Sequence, residues 1–169
     1  RDPEMSRGLG DVYKRQDLYL LYAEAINEAY GPEGGLVGEE NAVAENPFTY
    51  IDAIRERAGL KGVKESWSNY SNNPTKYTTQ TGLRAIIQQE RMIELAFEGI
   101  RFWDIRRWKT APSLYQTSMQ GWDMTQYRAN YYYRSMVVYK QSFGVKDYFW
   151  PISNDNILKN DNLVQNIGW

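Results

Sequence analysis

Two residue types are missing from this chain altogether, cysteine and histidine. Without cysteine no disulfide can form, and thiol usage says nothing about redox compartment. Without histidine the Ser-His-Asp and Cys-His catalytic sets are excluded, as are His-rich zinc sites and the Glu-x-x-His di-iron pattern. A carboxylate pair or a carboxylate calcium site stays open, and nothing calls for a cofactor. Neither sign of charge is in excess, since 20 Lys and Arg meet 21 Asp and Glu. That balance argues against a phosphate-backbone binder, and so against nucleic acid as a partner. No apolar run approaches the roughly 18–20 residues of a membrane helix. At 169 residues the chain has room for one domain with a core, and too little for two. What it has in quantity is aromatic rings, with 14 Tyr, 6 Trp and 5 Phe. Tyr and Trp join a flat apolar face to a polar edge, which suits cores, protein interfaces and sugar platforms alike.

Residues 1–16, "RDPEMSRGLGDVYKRQ", show no sustained helical or strand period and read as a non-native or disordered leader outside the fold. From Asp17, a plausible helix cap, Leu18, Leu21, Tyr22, Ala25, Ile26 and Ala29 follow the spacing of an amphipathic helix that Gly31-Pro32 stops. A second helix begins near Pro47, carries Phe48, Ile51, Ile54 and Ala58 on one stripe, and ends at Gly59. The pair makes a helical hairpin of the tetratricopeptide-like kind. A polar loop with Trp67, Tyr70 and Tyr77 follows, then a third helix from about Thr81 to Gly99 and a fourth over Ile100–Lys109. Past Pro112 the helical period is lost. "YYYRSMVVYKQSF" and "DYFWPI" suggest short extended segments, with Tyr131 to Tyr133 on a strand, and the Asn-rich tail reads as turns. Asp155 and Asp161 in that tail read as turn residues capping backbone amides rather than calcium ligands. The fold class is therefore mainly α, tetratricopeptide-like helical hairpins followed by an irregular C-terminal region containing short strands.

"ERMIELAFEGIRFWDIRRW" is the densest stretch of charge. On a helical wheel Leu83, Ile86, Ile87, Ile93 and Phe97 form one buried stripe, and Glu90 and Glu94 fall at its centre. Carboxylates on a core face cost several kcal/mol each unless paired, on the order of the penalties for buried ions. Arg91, Arg101, Arg106 and Arg107 are close in sequence, and arginine binds carboxylates bidentately without losing its proton. With Glu98 and Asp104 they predict a charge network of Glu90, Arg91, Glu94, Glu98, Arg101, Asp104 and Arg107 that braces the third helix to the fourth, with Gly99 permitting the turn. A general acid/base pair of Glu90 and Glu94 is the competing reading. Residues i and i+4 on one helix face cannot readily bracket a substrate, and neighbouring arginines should keep both ionised. No catalytic or metal-binding residue is assigned.

The pattern of Glu90, Arg91, Glu94–Gly99, Arg101, Asp104 and Arg106–Trp108 resembles the SusD/RagB family. "LYAEAINEAYG" followed by "IDAIRERAGL" resembles its helical-hairpin segment. "DYFWPISNDNILKNDNLVQNIGW" resembles its C-terminal signature, with Ser153 and Ile167 where prolines are usual. The three blocks stand in the family's order across residues 17–169. The resemblance implies a surface-exposed lipoprotein of the bacterial outer membrane, not an enzyme. It would capture glycans, or sometimes peptides, and pass them to a SusC-like TonB-dependent transporter. It also implies that this is the C-terminal portion of a longer protein, lacking the signal peptide and the lipid-bearing cysteine, so that membrane association runs only through an anchor absent from this chain. The family's binding residues vary with ligand, and none is carried over by these scaffold motifs. Trp103, Trp108, Trp150 and Trp169 lie inside the motifs and are expected in the core.

A sugar site needs an aromatic plane for the ring's C–H face and polar groups for its hydroxyls. "SWSNYSNNPTKY" offers Trp67, Tyr70 and Asn72, with Asn69 and Asn73 beside them. "MQGWDMTQYRANYYYR" offers Trp122 and Tyr127, near Asp123, Gln126, Arg128 and Asn130. Each ring could instead anchor its loop to the scaffold. The leading expectation is non-catalytic glycan binding. The alternative is a tetratricopeptide-like module for a protein or peptide, whose contacts would lie on helix faces. If earlier repeats are missing, Leu18, Leu21 and Tyr22 should present an exposed apolar face.

Overall fold

The computed structural model describes residues 3–36, 44–128, 130–132 and 134–169. It is mainly α-helical, with two small antiparallel ribbons among the described residues. The chain divides into two compact units, Arg1–Arg101 and Phe102–Trp169. No helix among the described residues is long and apolar enough to cross a membrane.

In the first unit α1 (Pro3–Tyr30) is followed by the ribbon of β1 (Gly35–Leu36) and β2 (Ala44–Glu45) and then by α2 (Pro47–Arg57). The Asn46 side chain accepts from the Phe48 amide at 2.8 Å, and Pro47 takes the first helical position, where its missing N–H costs nothing. α3 (Val63–Tyr70) and a 3-10 turn (Lys76–Thr78) lead to α4 (Gln80–Glu94), whose Thr79 cap accepts from the Gly82 amide. Ala23, Phe48, Ile51, Val63, Leu83, Ile86 and Ile87 form one cluster, with Tyr50, Trp67 and Tyr77 packed on it. Each large side chain buried there contributes about 1.5–3 kcal/mol relative to exposure. Polar ties close the α1–α4 seam. The Gln80 amide donates to the Asn27 and Glu28 carbonyls, and Arg84 grips Glu28, holding its carboxyl below the ordinary range.

Three expectations for this unit are corrected. α1 begins at Pro3, so Asp17 lies within the helix and caps nothing; extension of a formed helix is far cheaper than its nucleation. Its buried side is Leu20, Ala23, Ile26 and Asn27, while Leu18 is 63% exposed and Leu21 and Ala25 also face solvent. α1 has apolar residues on more than one side, and packing against α2 and α4 selects among them. The third predicted helix, here α4, ends at Glu94 rather than Gly99. Phe97 adopts φ +66° and is fully exposed, and Ile93 is exposed with it.

In the second unit α5 (Ile100–Arg107), which starts at the boundary, leads to α6 (Ala111–Tyr115) and the ribbon of β3 (Met119–Trp122) with β4 (Ser135–Tyr139). A 3-10 turn (Val145–Tyr148) and α7 (Asn154–Lys159) complete it. β4 matches the extended reading of "RSMVVY". Tyr131 and Tyr132 instead sit in a turn, both amides donating to the Arg128 carbonyl, and Tyr133 lies outside the described residues. "DYFWPI" is a 3-10 turn and irregular chain, and part of the tail is helical. The C-terminal motif works through hydrogen bonds rather than burial. Gln165 pairs with both backbone groups of Ile152, Asn166 donates to the Trp150 carbonyl, and the Trp169 indole donates to the Lys146 and Phe149 carbonyls. Trp103, Trp150 and Trp169 are exposed and Trp108 is half-buried, against the expectation of core positions.

Candidate ligand-binding site

Trp67 and Tyr70 stand three residues apart on α3, which places their side chains on neighbouring positions of one helix surface. The sequence reads this stretch as loop because it lacks a local cap. The helix is started from a distance, by Asp52 of α2, whose carboxylate accepts from the Val63 amide at 2.7 Å. Trp67 rests partly on the hydrophobic cluster, whereas Tyr70 is 74% exposed. After α3 the chain doubles back through Ser71–Lys76, braced by the Asn73 amide on the Ser71 hydroxyl and the Lys76 amide on the Asn73 carbonyl. The result is an open cavity of about 610 Å³ lined by Ser66, Trp67, Tyr70, Ser71, Asn72, Asn73 and Lys76. The Lys76 ammonium sits 4.7 Å from the centroid of the Trp67 ring. The Ser66 hydroxyl is already engaged, by Arg55 and the Lys61 carbonyl. Asn72 and Asn73 are exposed and offer amide groups to the cavity.

Structure thus brings Trp67, Tyr70 and Asn72 to one wall. It does not do so for the second stretch. Trp122, 63% exposed at the end of β3, lines a depression of about 280 Å³ with Gln120, Gly121 and Ser135. Tyr127 is fully exposed and is not part of that lining. The nearby carboxylate of Asp123 is consumed by its own turn. It accepts from the Thr125 hydroxyl and amide and from Gln126, contacts that hold its pKa below the ordinary value.

Glu90 and Glu94 take partners from outside the charged stretch. Glu90 pairs with Arg55, and Glu94 with Arg57 at 2.7 Å, so α4 is tied back to α2. Arg91 is buried and its guanidinium lies 2.9 Å from the Asp17 carboxylate of α1. Asp104 is buried and meets Arg107 one turn on within α5 at 3.1 Å. Glu98 is exposed in the turn before α5, and Arg101 is half-buried at its start. Sequence reasoning missed Arg55 and Arg57, although "IRERAG" displays them two residues apart at the end of α2. Both glutamates were also expected to be ordinary ionised acids. Burial instead pushes the Glu90 carboxyl above its usual value, with Arg55 opposing the shift.

A further cavity of about 650 Å³ lies within the second unit, walled by Trp103, Arg106, Arg107, Lys109, Val145, Tyr148 and Phe149. Trp103, Arg106, Arg107, Tyr148 and Phe149 belong to motifs read as scaffold. The exposed face of Trp103 is the signal that sequence alone could not supply.

The sequence profile of the SusD family matches residues 16–169. "SusD-like protein P2" of Formosa agariphila is 30% identical over 151 residues, covering 89% of this chain and 24% of that protein. "SusD-like protein P25" of the same organism is 35% identical over 97 residues, 57% of this chain and 15% of that protein. A solved SusD-like protein from Bacteroides fragilis superposes with a TM-score of 0.64 at 28% identity, over 91% of this chain and 25% of that one. The structure named BT4246 shares the fold, with a TM-score of 0.70 at 22% identity over 91% of this chain and 23% of its own. The chain spans at most about a quarter of the length of these relatives. A profile match over nearly its whole length, in agreement with the helical fold and the three motif blocks, shows that the chain belongs to the SusD family.

Proposed function

We propose that this chain is part of a non-catalytic glycan-binding protein of the bacterial cell surface, held at the outer membrane by a lipid anchor and delivering oligosaccharide to a SusC-like TonB-dependent transporter. Family membership supports the nutrient-binding class, and Glu90 and Glu94, the acids a hydrolase would need, are both held by arginines. The observation that carries the reading is the cavity in which Trp67 and Tyr70 stand beside Asn72 and Asn73. The rings supply planes for C–H faces at little entropy cost, and the amides can donate to and accept from hydroxyls.

The test is a glycan array probed with the wild-type chain and Trp67→Ala, with circular dichroism as the control for folding. Retention of at least one oligosaccharide by the wild type, lost in the variant at unchanged helicity, is the expected result. Equal retention by both proteins would remove Trp67 as the platform.

A further inference from the structure

The Trp67 cavity carries charge of one sign. Its lining includes one cation, Lys76, and no carboxylate. The sequence supports this locally, since no Asp or Glu occurs between Glu65 and Glu90. Those two flanking acids are neutralised away from the cavity, Glu65 by Lys61 and Glu90 by Arg55. Asp52 of α2 is committed to the Val63 amide at the start of α3. The Lys76 ammonium makes no ion pair among the described residues and rests over the Trp67 ring, a contact that is weak at a solvent-facing site. A cation without a counter-ion therefore shares the cavity with the aromatic plane.

Resting on the reading of this cavity as a sugar site, we propose that it selects sugars bearing an oxyanion, a uronate carboxylate or a sulfate ester, and that Lys76 reads the charge. An ammonium on a flexible four-carbon stem can leave the ring for a nearby oxyanion, and a charge-assisted hydrogen bond exceeds the cation–π contact it replaces. The same movement exposes the Trp67 plane to the C–H face of the sugar. A neutral sugar has to displace the ammonium from the ring and offers it only hydroxyls in return. Ser71, Asn72 and Asn73 add neutral donors and no opposing charge, so nothing on the wall repels the anion. The selectivity is electrostatic at a solvent-open site and must weaken with salt.

The test is titration calorimetry on the full chain with two matched pairs of probes: an oligogalacturonate against its methyl ester, and a sulfated oligosaccharide against its desulfated parent. The expected result is that at least one anionic probe binds about fivefold to tenfold tighter than its neutral partner, a preference that shrinks as salt is raised. Lys76→Gln should abolish that preference, so that the anionic probe binds no tighter than its neutral partner. The pair that shows the effect tells carboxylate from sulfate. Equal affinity within both pairs, a preference that survives Lys76→Gln, or no binding of any probe overturns the proposal. Trp67→Ala separates the two readings. Loss of all probes in that variant keeps the sugar platform even if charge selectivity fails, whereas unchanged binding of both members of a pair removes the platform itself.

Discussion

Arg55 and Arg57 show how much of a charge network depends on residues that are distant in sequence. Glu90 and Glu94 were legible as carboxylates on a core-facing stripe, because a period of 3.6 puts i and i+4 together. Their partners were not legible, since the nearest arginines in sequence lie along the same element and those of α2 come into reach only once the hairpin has formed. The consequence for Glu90 is a contest between opposing effects. Removal from water raises its pKa above the ordinary 4.5, and Arg55 lowers it, with burial the larger effect. A carboxyl whose folded pKa is raised binds its proton more tightly in the folded chain. Stability is then highest below the unfolded pKa and falls as pH rises from there through the folded value. Glu90→Gln has no charge to bury. Its stability relative to the wild type should therefore climb as pH is taken from about 4 to about 7, as followed by urea unfolding at each pH. The opposite trend would mean that the ion pair outweighs desolvation. Phe97 carries a different lesson at this scale. It sits in the left-handed region with its ring in solvent, so neither backbone nor packing in this chain accounts for a large aromatic there.

α2 was readable nearly to the residue, because its signals are local: Pro at the first position, an apolar stripe and a glycine after the end. Ala58 alone fell off the stripe, lying past the last helical turn and exposed. α3 was not readable, because its amide cap comes from Asp52 in another element and its polar composition resembles a loop. This matters for the site, since a helix fixes the relative positions of Trp67 and Tyr70 as a loop would not. The packing of α4 on the loop that carries Lys76 depends on Gly82. A β-carbon there would lie 1.9 Å from the Lys76 carbonyl oxygen and 2.7 Å from the Thr79 hydroxyl. Two effects oppose each other in Gly82→Ala. Alanine favours the helix by about 1 kcal/mol, while forcing backbone apart in a packed contact costs about 1–3 kcal/mol. The contact is with backbone carbonyl, which cannot swing aside as a side-chain tip could, so the variant should be destabilised in chemical unfolding and should bind oligosaccharide more weakly. A net gain in stability would show that the loop is not pinned at this point.

Across the whole molecule, buried apolar side chains are distributed very unevenly. The first unit holds Leu20, Ile26, Ile51, Leu83, Ile86, Ile87 and their neighbours, whereas Ile105 and Ala111 are the buried hydrophobics of the second unit among the described residues. The motif tryptophans were expected in the core. A sequence motif fixes where a ring stands along the chain, but not what covers it, and in this chain Trp150 remains 70% exposed. The second unit is held instead by directional contacts: Tyr115 stacked on Phe143 at 5.4 Å, Arg106 over the Phe102 ring, and Gln165 and Trp169 bonded to backbone. Hydrogen bonds near water contribute about 1 kcal/mol net, less than the roughly 1.5–3 kcal/mol of a large side chain fully buried. Local opening should therefore be cheap in the second unit and approach global unfolding in the first. Native-state hydrogen exchange read by mass spectrometry should find the amides of α2 and α4 slowest, and those of β3, β4 and α7 at least about tenfold faster. Protection of β4 and α7 equal to that of α4 would mean that buried apolar area does not rank stability within this chain. If the gradient is found, deleting the Trp169 indole donor with Trp169→Phe should speed exchange around Val145–Tyr148 and leave α4 unchanged, because that donor ties down the Lys146 and Phe149 carbonyls within the second unit.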